Sequence, residues 1–176
     1  MANEPQGQFH NQYVLLPPSD PARDLYNASR FGKLLESGKL QLSLCEALFL
    51  VEKGKIIVVD GRGREINTES FLKKAKRLEP NFPVRYTVYK DLRLRGYIVK
   101  TALKFGADFR VYDRGVKPVE DHAKWIVYPI YEAQTLTWYE FSAKNRVAHS
   151  TKKRLLVAIV DEESDVTYYE IAWKRP

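Results

Sequence analysis

The chain has 176 residues, 44% hydrophobic and 29% charged, which is enough apolar mass for one larger domain or two small ones and argues against a disordered or fibrous protein. No apolar run approaches the roughly 18 residues needed to span a bilayer, and the opening MANEPQGQFHNQ has neither a basic flank nor an apolar stretch, so a soluble, unexported, cytoplasmic protein is expected. Cys45 is the only cysteine, which excludes an intrachain disulfide and a Cys-rich zinc site.

Residues 1–12 read as a polar, flexible tail. Tyr13 to Leu16 reads as a strand, Asp20 to Ser29 as a helix opened by Ser19, and Lys39 to Leu42 as a second strand. Ser43 and Glu46 have the spacing of a capping box, so Leu44, Ala47, Leu48, Leu50 and Val51 fall on a helix ending at Gly54, in which Cys45 packs as a small hydrophobe. Lys55 to Asp60 is a β-branched strand, and Asn67 caps a helix through Leu78. Pro80 and Pro83 then interrupt the pattern and divide the chain into a small N-terminal α/β domain, 1–83, and a C-terminal domain, 84–176.

The second half opens with a helix from Val84 to Arg95, stopped by Gly96. Strands follow at Tyr97 to Leu103, Asp108 to Tyr112 and Trp125 to Ile130. Thr137 and Glu140 form a second capping box for a helix running to about His149. Arg154 to Val160 and Val166 to Trp173 are closing strands joined by an acidic turn. The predicted class is α+β, with a mixed central sheet flanked by helices in the second half.

The net charge of +7 makes a polyanion the partner to test, beside the plainer reading that it keeps a small protein soluble. The excess lies mostly in residues 84–176, with 17 basic and 12 acidic groups, which points to that half as the nucleic-acid face. No phosphate loop, dinucleotide fingerprint or H-E-x-x-H motif is present. Nor does any Asp-x-Lys or Glu-x-Lys occur, which disfavours a nuclease that holds Mg²⁺ beside a catalytic lysine.

Of three histidines, His10 lies in the tail and His149 ends a predicted helix, where an imidazolium suits the dipole. His122 follows the loop Gly115 to Asp121 and leads into a strand, a common place for a reactive side chain. Tyr112 alternates with Phe109 and Val111 and so points away from the face they bury. Lys153 precedes an apolar strand and reads equally well as a solvated basic flank. Residue type alone singles out no site.

Ordered motifs do. Tyr89-x-Asp91-Leu92-Arg93-x-Arg95-Gly96-Tyr97-x-Val99-Lys100, then Lys104-Phe105-Gly106-x-Asp108-Phe109-x-Val111-Tyr112, resembles the signature of the archaeal tRNA-splicing endonuclease family. His122-x-x-Trp125, the run Arg146 to Arg154 and the run Asp165 to Glu170 continue the resemblance in order, and Leu42 to Lys55 carries weaker motifs of the same family.

The resemblance implies metal-free, cofactor-free cleavage of precursor tRNA at bulge-helix-bulge junctions, leaving a 2′,3′-cyclic phosphate and a 5′-hydroxyl. It implies Tyr112 as general base, His122 as general acid and Lys153 as the cation that stabilises the transition state. In-line attack by a ribose 2′-OH independently requires a base, an acid and a fixed positive charge. A free tyrosine is almost wholly protonated near neutrality, so a base of this type needs a nearby ammonium, a second task for Lys153. By the same resemblance Arg146 and Trp173 grip a bulge nucleotide. Asp161, Glu162, Glu163 and Asp165 would dock into another subunit of a homotetramer, a dimer of dimers. A heterotetramer with a noncatalytic partner is the alternative assembly, and a noncatalytic RNA-binding subunit the alternative role. Ser164 stands where relatives often carry glycine, which puts the geometry of the acidic turn in question.

Overall fold

A computed structural model describes residues 4–118 and 122–176 and resolves two units, Met1–Pro83 and Val84–Pro176, each built on its own five-stranded sheet. The class is α+β.

The first unit runs β1 (Gln6–Phe9), β2 (Tyr13–Leu16), α1 (Asp20–Ser29), β3 (Lys33–Leu34), β4 (Leu40–Ser43), α2 (Leu44–Glu52), β5 (Ile57–Val59) and α3 (Thr68–Leu78). Its sheet order is β3-β4-β2-β1-β5, antiparallel except for the parallel pair β1 and β5. Here the structure corrects the expectation of a flexible tail over 1–12: Gln6–Phe9 is an inner strand, with Gln8 opposite Leu15 on one side and Val59 on the other. The segment QGQF has little strand propensity of its own. Its place comes from two neighbouring strands and from Gly7, where a Cβ would meet Val14 Cγ1 at 2.7 Å. Met1 to Asn3 lie outside the described residues.

Around α2 the capping box forms as its spacing predicts, and it does more than cap. Glu46, only 5% exposed, accepts from the Ser43 amide (2.9 Å), the Ser43 hydroxyl (3.0 Å) and the Gly32 amide (2.8 Å), which ties the helix start to the loop before β3. Gly32 can lie there because it adopts φ +68°, and a Cβ would meet the Gln41 carbonyl oxygen at 2.6 Å. Cys45 is buried on the same helix.

The second unit contains α4 (Phe82–Leu94, begun two residues before the boundary), β6 (Ile98–Thr101), β7 (Phe109–Tyr112), β8 (Trp125–Tyr131), α5 (Trp138–Ser150), β9 (Arg154–Val160) and β10 (Val166–Ile171). Two strands end two residues earlier than expected. β6 gives way to a 3-10 turn at Leu103–Phe105, and β10 stops before Trp173. The sheet order is β10-β9-β8-β7-β6, with β8 and β9 parallel and joined by α5, the helical crossover that a parallel pair requires. On one face Ile126, Tyr128 and Ile130 of β8, Leu155 and Val157 of β9, and Ala148 of α5 share a core. On the other, Phe109 of β7 meets Tyr89 of α4 with ring centroids 5.9 Å apart.

Candidate active site

At one end of the second sheet the hydrogen-bond ladder runs past the strands themselves. The Lys124 amide donates to the Val111 carbonyl (2.8 Å) and the Arg154 amide to the Lys124 carbonyl (3.0 Å). Register pairs Val111 with Trp125 and Trp125 with Arg154, so the next row outward is Tyr112, Lys124 and Lys153. Neighbouring strands are about 4.8 Å apart, which sets the outer two backbones roughly 10 Å from each other. Cross-strand neighbours share a face, and Tyr112 and Lys153 have the parity of Arg110 and Leu155, the side covered by α5, whereas the Lys124 side chain, just before β8 begins, turns over the Trp125 ring on the other face. His122 stands two residues before Lys124 at the same end. Three residues distant in sequence thus lie toward one end of one sheet.

Each is held differently. Tyr112 is 3% exposed, its ring packed with Ile98, Ala123 and Val116. His122 is exposed, at the point where the chain re-enters the sheet; Val119, Glu120 and Asp121 of the loop before it lie outside the described residues. Lys153 follows α5 directly. Its amide closes the helix end by donating to the Ala148 carbonyl (2.9 Å), and its half-buried Nζ donates to the Thr151 carbonyl (3.1 Å). A cation is favoured there by the partial negative charge of the helix C-terminus.

On the opposite face, one row inward, sits a cluster that sequence reasoning missed. Trp125 Nε1 donates to Glu170 Oε2 at 2.7 Å and Arg154 Nη1 to Glu170 Oε1 at 3.1 Å, linking β8, β9 and β10 just behind the row. The indole hydrogen bond first, and then the charges of Arg154 and Lys124, hold the Glu170 carboxyl below the usual carboxylate range. Lys124 Nζ lies 4.4 Å from the Trp125 ring centroid and 3.4 Å from Asp113 Oδ1, and Tyr97 meets Trp125 edge-on at 5.5 Å. Parallel register between the starts of β8 and β9 creates this cluster, and no spacing within either strand announces it. A second tie runs from β10 to α4, where Tyr168 Oη donates to Asp91 Oδ2 (2.6 Å), which also takes Arg95 Nε (2.8 Å).

Arg146 lies on the exposed side of α5, its guanidinium 6.0 Å from the Tyr139 ring centroid. Trp173 is 60% exposed and meets the His149 ring at 4.9 Å, so the C-terminal segment touches the last turn of the same helix. In the acidic turn, Asp161 accepts from the Ser164 amide (3.1 Å) through its carbonyl and from the Asp165 amide (2.9 Å) through its side chain. Its carboxylate is therefore used within the turn, while Glu162, Glu163 and Asp165 face solvent. Ser164 does take the left-handed conformation, φ 68°. Among the described residues no group of three His, Cys, Asp or Glu side chains could hold a metal ion, and no helix is long and apolar enough to cross a membrane.

Residues 82–168 match the family model for the tRNA intron endonuclease catalytic C-terminal domain, and residues 6–72 match that for the tRNA intron endonuclease N-terminal domain. The chain is 48% identical over 151 residues to a tRNA-splicing endonuclease of Thermococcus gammatolerans, covering 86% of this chain and 87% of the relative. It is 42% identical over 171 residues to one of Methanothermobacter thermautotrophicus, covering 97% and 98%. A Nanoarchaeum equitans protein of the same name is 43% identical over 152 residues, covering 83% and 97%.

Proposed function

Because the chain belongs to the tRNA intron endonuclease family, it is an endoribonuclease of tRNA splicing, and we propose that it cuts precursor tRNA at bulge-helix-bulge junctions without a metal ion. Tyr112 takes the proton of the ribose 2′-OH. The 2′-oxygen then forms a bond to the adjacent phosphorus as the bond to the 5′-oxygen breaks, and His122 delivers a proton to that leaving oxygen. Lys153 faces the negative charge that gathers on the non-bridging oxygens. The products are a 2′,3′-cyclic phosphate and a 5′-hydroxyl.

What supports this division of labour most is the row Tyr112, Lys124, Lys153 with His122 beside it. A well-packed ring and a solvent-facing imidazole at one sheet end suit a base that must not wander and an acid that must exchange protons. Arg146 and Trp173, two planar groups on and against α5, grip a bulged nucleotide in this reading. Two cuts per intron call for two copies of the site, supplied by a homotetramer assembled as a dimer of dimers, with the acidic turn at Asp161, Glu162, Glu163 and Asp165 docking on a neighbouring subunit. The lone cysteine is compatible with work in the cytoplasm.

The test is a bulge-helix-bulge RNA offered in excess EDTA, beside the same RNA with 2′-deoxyribose at each cut nucleotide. Cutting of the first and none of the second is expected. Loss of cutting in EDTA, or cleavage of the deoxy substrate, would overturn the mechanism.

A further inference from the structure

The most exposed aromatic side chains of the chain are not at the sheet end. Trp138 is 83% exposed and Tyr139 78%, side by side in the first turn of α5. Trp138 meets Phe141 edge-on at 5.7 Å, which fixes its ring without covering it, and the Arg146 guanidinium lies toward the Tyr139 ring two turns along. The turn itself needs neither ring, because Thr137 and Glu140 cap it reciprocally. Two large apolar surfaces left in water beside each other mark a contact.

Resting on the RNA-cutting reading above, we propose that Trp138 and Tyr139 form a stacking platform for unpaired nucleotides of the substrate, next to the nucleotide that Arg146 contacts. The charges around the rings select this occupant. Arg146 lies beside the Tyr139 ring, Lys144, with its Nζ 4.2 Å from the Tyr128 ring centroid, is on the same helix, and Lys152 and Lys153 continue the positive charge past its far end. The one acidic group in the helix, Glu140, has its carboxylate turned back onto the Thr137 amide (2.7 Å) and hydroxyl (2.9 Å), hydrogen bonds that hold it below the usual carboxylate range. Exposed rings among fixed cations are how proteins hold single-stranded nucleic acid, since every base offers a π-face and every linkage a negative charge. An apolar protein surface would gain nothing from the lysines and arginine. The Arg146 guanidinium lies 6.0 Å from the Tyr139 ring centroid, less than two steps of a stacked strand at about 3.4 Å each, so ring and guanidinium would reach neighbouring nucleotides. The platform would read no base identity. It would extend the grip beyond the cut and tighten binding.

The test uses the full chain and the bulge-helix-bulge RNA made uncuttable by 2′-deoxyribose at the cut positions. The double variant Trp138→Ala/Tyr139→Ala is expected to raise Kd on the order of tenfold or more, and on cuttable RNA the loss should fall on KM rather than kcat. Trp138→Phe and Tyr139→Phe, which keep a ring, should bind within about threefold of the parent. Particle mass by light scattering is read on every variant. An unchanged Kd in the double variant while the parent cuts normally overturns the platform alone. Weakened RNA binding with a smaller particle also overturns it, because the rings would then be contacting another protein chain. A parent that neither binds nor cuts the RNA overturns both the platform and the reading beneath it.

Discussion

In the N-terminal unit the buried charge, Glu46, is enclosed by donors from Ser43 and Gly32, and the motif that contains it is consumed in building the fold. In the C-terminal unit a second capping box, Thr137 with Glu140, closes just as completely. On the helix it opens, however, Trp138, Tyr139 and Arg146 are exposed, as is Trp173 against the helix's last turn. The same local device serves opposite ends: in one unit it frees no group for outside use, and in the other it anchors a helix lined with groups the fold does not need. Motifs whose polar atoms are all satisfied internally are architecture, and the groups left over are where function is to be sought.

The widest separation of the two units should come from His122→Ala. The side chain is exposed, so stability is expected to change by no more than about 0.5 kcal/mol, while loss of a general acid lowers single-turnover cleavage by roughly 10²- to 10⁴-fold. Unaltered turnover beside an unaltered melting curve would remove His122 from the chemistry. Glu46→Ala should do the reverse. It strips partners from the buried surroundings of Ser43 and Gly32 and is expected to cost about 3 kcal/mol, read as a lower urea midpoint for the full chain. A midpoint within error of the parent would show that the carboxylate is not holding the loop.

Titration offers a subtler contrast. In the C-terminal unit burial pushes the Tyr128 hydroxyl up to about 12, and burial followed by the hydrogen bond to Asp91 pushes Tyr168 higher still. A raised pKa means the folded state keeps the proton longer. The stabilisation is therefore complete below the ordinary tyrosine value near 10 and drains away as pH rises toward about 12. In the N-terminal unit the backbone amide of Arg64, with further help from Arg62 and the Arg64 side chain, lowers Asp60 to about 2. That contribution is present above the ordinary value of 3.8 and is lost as pH falls toward about 2. Amide hydrogen exchange across the pH range should show β8 and β10 loosening first in alkali and the turn after β5 first in acid. The opposite order would mean these groups do not set the limits of their units.

Much of this was legible in the chain. Both capping boxes, the helices opened by Ser19 and Asn67 and the two closing strands follow from local sequence, and the structure has them. What escaped depends on pairing. Gln6–Phe9 reads as tail because strand identity there comes from β2 and β5, and the cluster of Trp125, Arg154 and Glu170 exists only once β8 and β9 are parallel and in register. The roles given to Tyr112, His122 and Lys153 came from ordered family motifs, and residue type alone left each with a structural alternative. The sheet register adds that Tyr112 and Lys153 share one row at one end of the sheet, with His122 two residues before the Lys124 that stands between them.

The smallest expected effect concerns the acidic turn. Ser164 holds φ 68°, a conformation that costs an L-residue about 1 kcal/mol and glycine almost nothing. Ser164→Gly should therefore stabilise, raising Tm by about 3 °C for a chain of this length, offset slightly by the greater freedom of glycine in the unfolded state. Gly32 in the N-terminal unit provides the mirror case. It also has positive φ, but an added Cβ would run into the Gln41 carbonyl oxygen at 2.6 Å, so Gly32→Ala should destabilise where Ser164→Gly stabilises. Differential scanning calorimetry on both variants decides the matter. A fall in Tm for Ser164→Gly would mean that the serine side chain makes a contact worth more than the strain, and a turn positioned by that contact would be under a constraint that backbone geometry alone does not impose.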